Sequence, residues 1–458
     1  MNDVWPRLVP ALFALVNLFL CAHLARRLWP GDRDISALAA WLLLGGALWL
    51  LFTGPLMFDM LIVFSVLLGI TGVLRAWREP GWSGWWVVGA AIGLGVLSKG
   101  PVILLHILPV ALLAPWWATE RRPQSWPRWY AGIGLGIVVG AAIALSWAIP
   151  AALAGGPAYS DAIFWGQTAG RMATSFAHRQ PWWWYLPLLP LLLFPWLLWP
   201  PVWRALVRVR AYGRDAGVRF CLAWIVPVFI GFSLISGKQP QYLLPLFAAF
   251  ALLVSHNLTH PPLPAGRWAM LPVSLSVAAV STALLALPAL MARYPKLPTW
   301  AVDISPLTGA VFMLVALALL AIPKSKDNHF RAQTLALAMA VLVVCVHIGI
   351  MPAAAPDNDL RPIGRYLRTL QDQGTPIAHL GKYHGQFQFV GRLEKPLAVI
   401  QIDGIEAWFA QHPNGKLIAY ADNWQPPAQA QPEFTQAFRS SSVGVWGAAA
   451  VQVQKPKP

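Results

Sequence analysis

Charge is what this sequence of 458 residues has least of. Asp, Glu, Lys and Arg make up 11% of it, and only 18 residues are acidic. Ordinary soluble domains carry roughly a quarter charged residues, so soluble globular enzymes are excluded. Cysteine is scarce as well. Cys21, Cys221 and Cys345 each lie inside an apolar run, far apart in sequence, which argues against a disulfide framework and against a cysteine metal site. No short-period repeat is visible, which removes solenoids and propellers. Apolar residues take the place of charge: 57% of the chain is hydrophobic and its mean hydropathy is +0.55. That composition predicts a polytopic α-helical membrane protein.

Crossing about 30 Å of hydrocarbon takes roughly 20 apolar residues in a helix. Runs of that order fall near 8-27, 36-52, 56-75, 84-98, 101-117, 130-152, 183-200, 218-236, 241-256, 268-291, 305-323 and 332-352, so about twelve transmembrane helices are expected. The net charge of +16 raises the question of nucleic acid, but the basic residues follow alternate loops of a membrane protein instead. Between the runs, 17 of them fall in one set of loops, including Arg26, Arg75, Arg121, Arg204, Arg208 and Arg331, and 7 in the other: Arg7, Lys99, Arg171, Arg179, Lys238, Arg293 and Lys296. The positive-inside rule makes the first set cytoplasmic. Both termini and the loop 153-182 are then expected outside, and the bilayer, not nucleic acid, is the partner.

Near residue 353 the composition changes. Charged and amide residues return and apolar runs shorten, so the chain divides into a membrane domain, 1-352, and a soluble α/β domain, 353-458. "LRPIGRYLRTLQDQG" has helical spacing and ends at Gly374. "PIAHL", "FQFVG", "PLAVI" and "KLIAYAD" read as strands, with "GIEAWFAQHP" as a helix between the last two. On the topology above, this domain is periplasmic.

Against so apolar a background the few polar residues at the outer ends of the runs stand out. Asp59 opens the third run in "GPLMFDMLIVF". It is either a solvated helix-start residue favoured by the helix dipole or a functional carboxylate near hydrocarbon. Lys99 lies in the turn "LSKGPV", and Lys238 and Tyr242 lie in "SGKQPQYLLP". The loop "AGGPAYSDAIFWGQTAGRMATSFAHRQPWWWYLP" carries Asp161, Arg171, His178 and Arg179 ahead of an interfacial aromatic belt. Taken singly, each cation reads as a side chain snorkelling to water. Together they suit a membrane-anchored phosphate, with Lys as a point charge and Arg as a forked donor. The carboxylate suits a general base or a divalent-cation ligand. A transporter or flippase is the alternative, and it predicts matched pseudo-repeats and charge at mid-membrane. Neither is evident here.

The succession "FDMLIVFSVLLGITGVLRAWR", "GLGVLSKGPV", "GRMATSFAHRQPWWWYLPLLP" and "SGKQPQYLLPLFAAF" resembles the GT-C membrane glycosyltransferases. The branch that it resembles is that of the lipid A aminoarabinose transferases and protein O-mannosyltransferases, and the likeness runs from residue 1 to about 350. It implies transfer of a sugar from an undecaprenyl-phosphate carrier to a lipid A, glycan or protein acceptor on the periplasmic side of the bacterial inner membrane. It also implies that Arg171, His178 and Tyr242, with Lys238 and Lys99, lie near the carrier phosphate, and that Asp59 is the carboxylate of the cavity. The resemblance fixes no cofactor; a divalent cation is an option that the carboxylate leaves open, with its ligands unassigned. In this family one more helix and a large acidic outer loop precede the residues that correspond to the start here. The expectation is a late start, a fragment or a degenerate member, with little activity in the sequence as written.

Overall fold

In a computed structural model, residues 5–161, 163–164, 179–424, 430–439 and 441–449 are described, apart from residues 121, 122, 124, 265, 267, 295, 296, 324 and 325. They form two compact units: Met1–Leu285 with Gly309–Cys345, and Ala286–Thr308 with Val346–Pro458.

The first unit is helical. It begins with α1 Trp5–Leu28, α2 Arg33–Leu44, α3 Ala47–Leu51, α4 Asp59–Arg78, α5 Ser83–Lys99, α6 Ile103–Leu112, α7 Ala114–Trp117 and α8 Trp126–Asp161. Among the described residues, six helices are long and apolar enough to span a bilayer: Trp5–Leu28, Asp59–Arg78, Trp126–Pro157, Ala216–Leu234, Pro240–Thr259 and Asn328–Ala354. A pair bent by 64°, Leu271–Leu285 and Leu287–Arg293, makes a seventh. The other five expected runs are helical too, but short or broken. The run 36-52 divides at Gly45 and Gly46, where Gly45 packs directly on Trp196 and the Ala336 backbone and leaves no room for a side chain. The run 101-117 divides into α6 and α7, and 183-200 into Tyr185–Leu192 and the 3₁₀ turn Trp196–Leu198. At 17 residues α5 is about 25 Å long.

The packing of α5 decides where its end lies. It sits between α4 and α8, and its contact with α8 is a reciprocal glycine zipper. A methyl group on Gly89 or Gly93 would lie 2.6 Å from Val139 or Ile143 of α8. In return Val88 and Ile92 of α5 fill the notches at Gly136 and Gly140 of α8. Without water between helices in lipid, such close backbone approach is what holds them together. The four-residue spacing of the glycines puts all the notches on one face of each helix.

The second unit is a three-layer α/β arrangement around a five-stranded sheet of order β2-β1-β3-β5-β4. The strands are β1 Ile377–Leu380, β2 Ala398–Ile400, β3 Lys416–Tyr420, β4 Phe434–Phe438 and β5 Ser441–Gly447. β1 pairs parallel with β2 and β3, while β5 pairs antiparallel with β3 and β4. Alternation along the strands makes two cores. Ile377, Ile418, Val443 and Val445 pack with Ile363 and Leu367 of the helix Arg361–Asp372 on one face. Ala378, Leu380, Leu417 and Ala419 pack with Ile405 and Phe409 of the helix Ile405–Gln411 on the other. One expected strand is not one: "FQFVG" forms the short helix Gln386–Val390. Its alternating Phe387 and Phe389 mimic a strand, but only Phe387 is buried. Gly391 lies against the Gly364 backbone, where a strand carrying side chains would not fit.

Candidate active site

Asp59 is the first residue of α4 and is 1% exposed. The N-terminus of a helix favours an anion, and the carboxylate also has a partner: Lys99 Nζ, the last side chain of α5, donates to Asp59 Oδ1. Lys99 stands where a cation suits the other pole of a helix dipole. The turn that places it depends on Gly100, whose φ of 79° and ψ of −169° are open only to glycine. Asp59 Oδ2 is buried and has no hydrogen-bond partner among the described residues.

Tyr242 packs against the same lysine. The Lys99 ammonium lies 5.1 Å from the centre of its ring, within cation–π range. Tyr242 rests on Phe232 at 5.8 Å, and Phe232 in turn on His106 at 5.1 Å. His106, on α6, is buried and its Nδ1 has no partner among the described residues. Sequence reading passed over it. Its one signal was a histidine inside the apolar "VILLHILPV", and that pattern also fits a satisfied core residue.

Lys238 has a different environment. It is 3% exposed and donates to Gln180 O at 2.9 Å and to Ile235 O at 2.5 Å. Burial pulls its ammonium below its ordinary pKa. It ties Gln180 to the turn ahead of Tyr242, a junction that also uses the Arg179–Gly237 bridge, Gln180 N to Ser236 O at 3.1 Å, and Tyr185 OH to Gln239 O at 3.0 Å. Two of its three N–H donors are thereby engaged. Asp59, Lys99 and Tyr242 are thus brought together, and Lys238 stands four residues before Tyr242. Arg171 and His178 lie outside the described residues. No group of three His, Cys, Asp or Glu side chains gathers as a metal site among the described residues.

Comparison with known proteins agrees with the resemblance read from the sequence. Residues 1–165 match the family model for dolichyl-phosphate-mannose-protein mannosyltransferase. An undecaprenyl phosphate-alpha-4-amino-4-deoxy-L-arabinose arabinosyl transferase of Pseudomonas paraeruginosa is 30% identical over 362 residues, 77% of this chain and 62% of its own length. Transferase 2 of that name from Pseudomonas fluorescens is 33% identical over 257 residues, 55% of this chain and 45% of its own. The chain spans about half the length of the curated relatives it matches. The crystal structure of ArnT from Cupriavidus metallidurans bound to undecaprenyl phosphate superposes with a TM-score of 0.70 at 18% identity, covering 100% of this chain and 86% of that one. In the apo state the TM-score is 0.68, with 98% and 84% covered. The fold is therefore that of ArnT. The family model and the curated relatives point to the GT-C membrane glycosyltransferases of the aminoarabinose-transferase type, and the solved structures show the fold alone.

Proposed function

We propose that this chain serves a glycosyltransferase that moves a sugar from an undecaprenyl-phosphate carrier to a lipid acceptor, lipid A in the first instance, at the periplasmic face of the inner membrane. The observation that carries this reading is the buried Asp59 carboxylate held by Lys99 beneath Tyr242, in a chain whose relatives are named for arabinosyl transfer from that carrier. A site with one acid and several cations at one end of apolar helices suits an anchored phosphate leaving group.

In the proposed step, an acceptor oxygen attacks the anomeric carbon while the bond from that carbon to the carrier phosphate oxygen breaks. The electron pair leaves with the polyprenyl phosphate, whose charge Arg171, His178 and the unengaged Lys238 proton stabilise. The acceptor proton passes to Asp59 Oδ2, the one oxygen of that carboxylate without a partner. Lys99 orients the carboxylate, and the Tyr242 ring packs against the Lys99 ammonium.

Membranes carrying the chain together with the upstream helix and acidic loop that the resemblance implies, incubated with undecaprenyl-phosphate-linked aminoarabinose and lipid A, are expected to show transfer by mass spectrometry of lipid A. Asp59→Asn should lower the rate by about 10²- to 10⁴-fold, the usual contribution of a general base. Arg171→Ala should lower it strongly, whereas Arg208→Ala, on the opposite face, should not. Solute movement across vesicles with no consumption of the lipid donor would establish the transporter reading instead.

A further inference from the structure

At the end of α4 remote from Asp59, about 30 Å away along a 20-residue helix, lies a cavity that the proposed chemistry does not use. It measures about 60 Å³ and is lined by Arg78, Arg128, Ser125, Trp85 and Trp129, with the acidic Glu79 also in its wall. A water needs roughly 10–15 Å³ on such a measure, so the space admits a group the size of a phosphate.

The electrostatics favour an anion. The acid of this corner, Glu79, is already held: Arg27 Nη1 donates to Oε1 and Arg75 Nε to Oε2, both at 2.8 Å. The Arg27 guanidinium, with that of Arg75, keeps the Glu79 carboxyl below its ordinary pKa. Two arginines thus hold that one carboxylate, with one positive charge to spare, and Arg78 and Arg128 line the cavity beside it, Arg78 also donating from Nη2 to Leu28 O at 3.3 Å. The positive poles of two long helices add to them, since α5 begins at Ser83 and α8 at Trp126. Ser125 Oγ accepts from Arg128 N at 3.2 Å and fixes the start of α8. Arg78 and Arg128 lie over the faces of Trp77 and Trp82, at 4.9 and 5.3 Å. Exposed Trp82, Trp86 and Trp116 place this corner at the depth of lipid headgroups.

We propose that this cavity binds the phosphate of an anionic phospholipid, with Arg78 and Arg128 as its ligands and the start of α8 beneath it. A free phosphate shares the chemistry, but it lacks the acyl chains that the surrounding tryptophans and the apolar flank of α8 would cover. The inference stands independently of the sugar-transfer reading, because it uses none of those residues.

The test is native mass spectrometry of the full chain released from nanodiscs of mixed phosphatidylcholine and phosphatidylglycerol. One phosphatidylglycerol is expected to stay bound in preference to phosphatidylcholine. Arg78→Gln with Arg128→Gln should weaken retention by roughly tenfold to thirtyfold, from two arginine contacts near a surface. Arg78→Lys with Arg128→Lys should keep most of it, which separates charge loss from misfolding, and Arg208→Gln should change nothing. Equal retention of both lipids, displacement of phosphatidylglycerol by inorganic phosphate, or retention unaffected by the double Gln variant would each overturn the proposal.

Discussion

Removing one member of the Asp59–Lys99 pair does not mirror removing the other. The Asp59 side chain is 1% exposed and that of Lys99 24%. Lys99→Met therefore strands a buried carboxylate, for which breaking a buried pair costs about 3–5 kcal/mol. Asp59→Asn leaves a lysine that can turn toward water, at a cost of about 1–3 kcal/mol. Thermal unfolding in nanodiscs should show the larger drop for Lys99→Met, with part of it restored in the double variant; a larger drop for Asp59→Asn would refute the pairing. At this scale the sequence was partly legible. Asp59, Lys99 and Tyr242 stood out because an ionisable or phenolic group at the end of an apolar run costs free energy unless something holds it. Lys238 stood out for the same reason, yet sequence could not show that two backbone carbonyls hold it. His106 was invisible because a lone histidine in an apolar helix carries no spacing signal.

The glycine zipper between α5 and α8 makes a prediction at the level of elements. Gly93→Val would force its side chain into Ile143, a crowding that costs about 1–3 kcal/mol. Because α5 ends at Lys99, the shift should also reduce sugar transfer. Gly134→Ala, on the same helix pair but with open space around its Cα, should do neither, as melting and transfer assays on the two variants would reveal. Hydropathy located all the long helices, since their length is dictated by the bilayer. It placed the broken ones as continuous runs, because the Gly45–Gly46 break is decided by Trp196 and Ala336, far away in sequence. In the second unit β1, β2, β3 and the helices Arg361–Asp372 and Ile405–Gln411 were legible from apolar spacing. β4 and β5 were not, since Phe434–Phe438 carries Thr and Gln between half-buried residues and "SSVGVWG" has no clean alternation.

For the molecule as a whole, sidedness is the quantity on which the proposed chemistry depends. With 17 basic residues in one set of loops against 7 in the other, a cysteine introduced near Gly156 should react with an impermeant thiol reagent on intact cells, and one near Gly213 should stay silent. The three native cysteines are buried and give a low background; the reverse labelling pattern would invert every assignment to a leaflet. The interlocked α5 and α8 have one more consequence, for the response to lipid. Notches repeated every four residues allow α5 to settle against α8 only in steps of that repeat, about 6 Å. Because α4 is packed on α5 as tightly, with Gly72 against Gly84 and Val88, a thinner or thicker bilayer tilts α4, α5 and α8 as one body, and the ammonium of Lys99 keeps its height relative to Asp59. Acyl-chain length should leave the pair intact in the native chain and begin to matter only when Gly93→Val has loosened the ratchet.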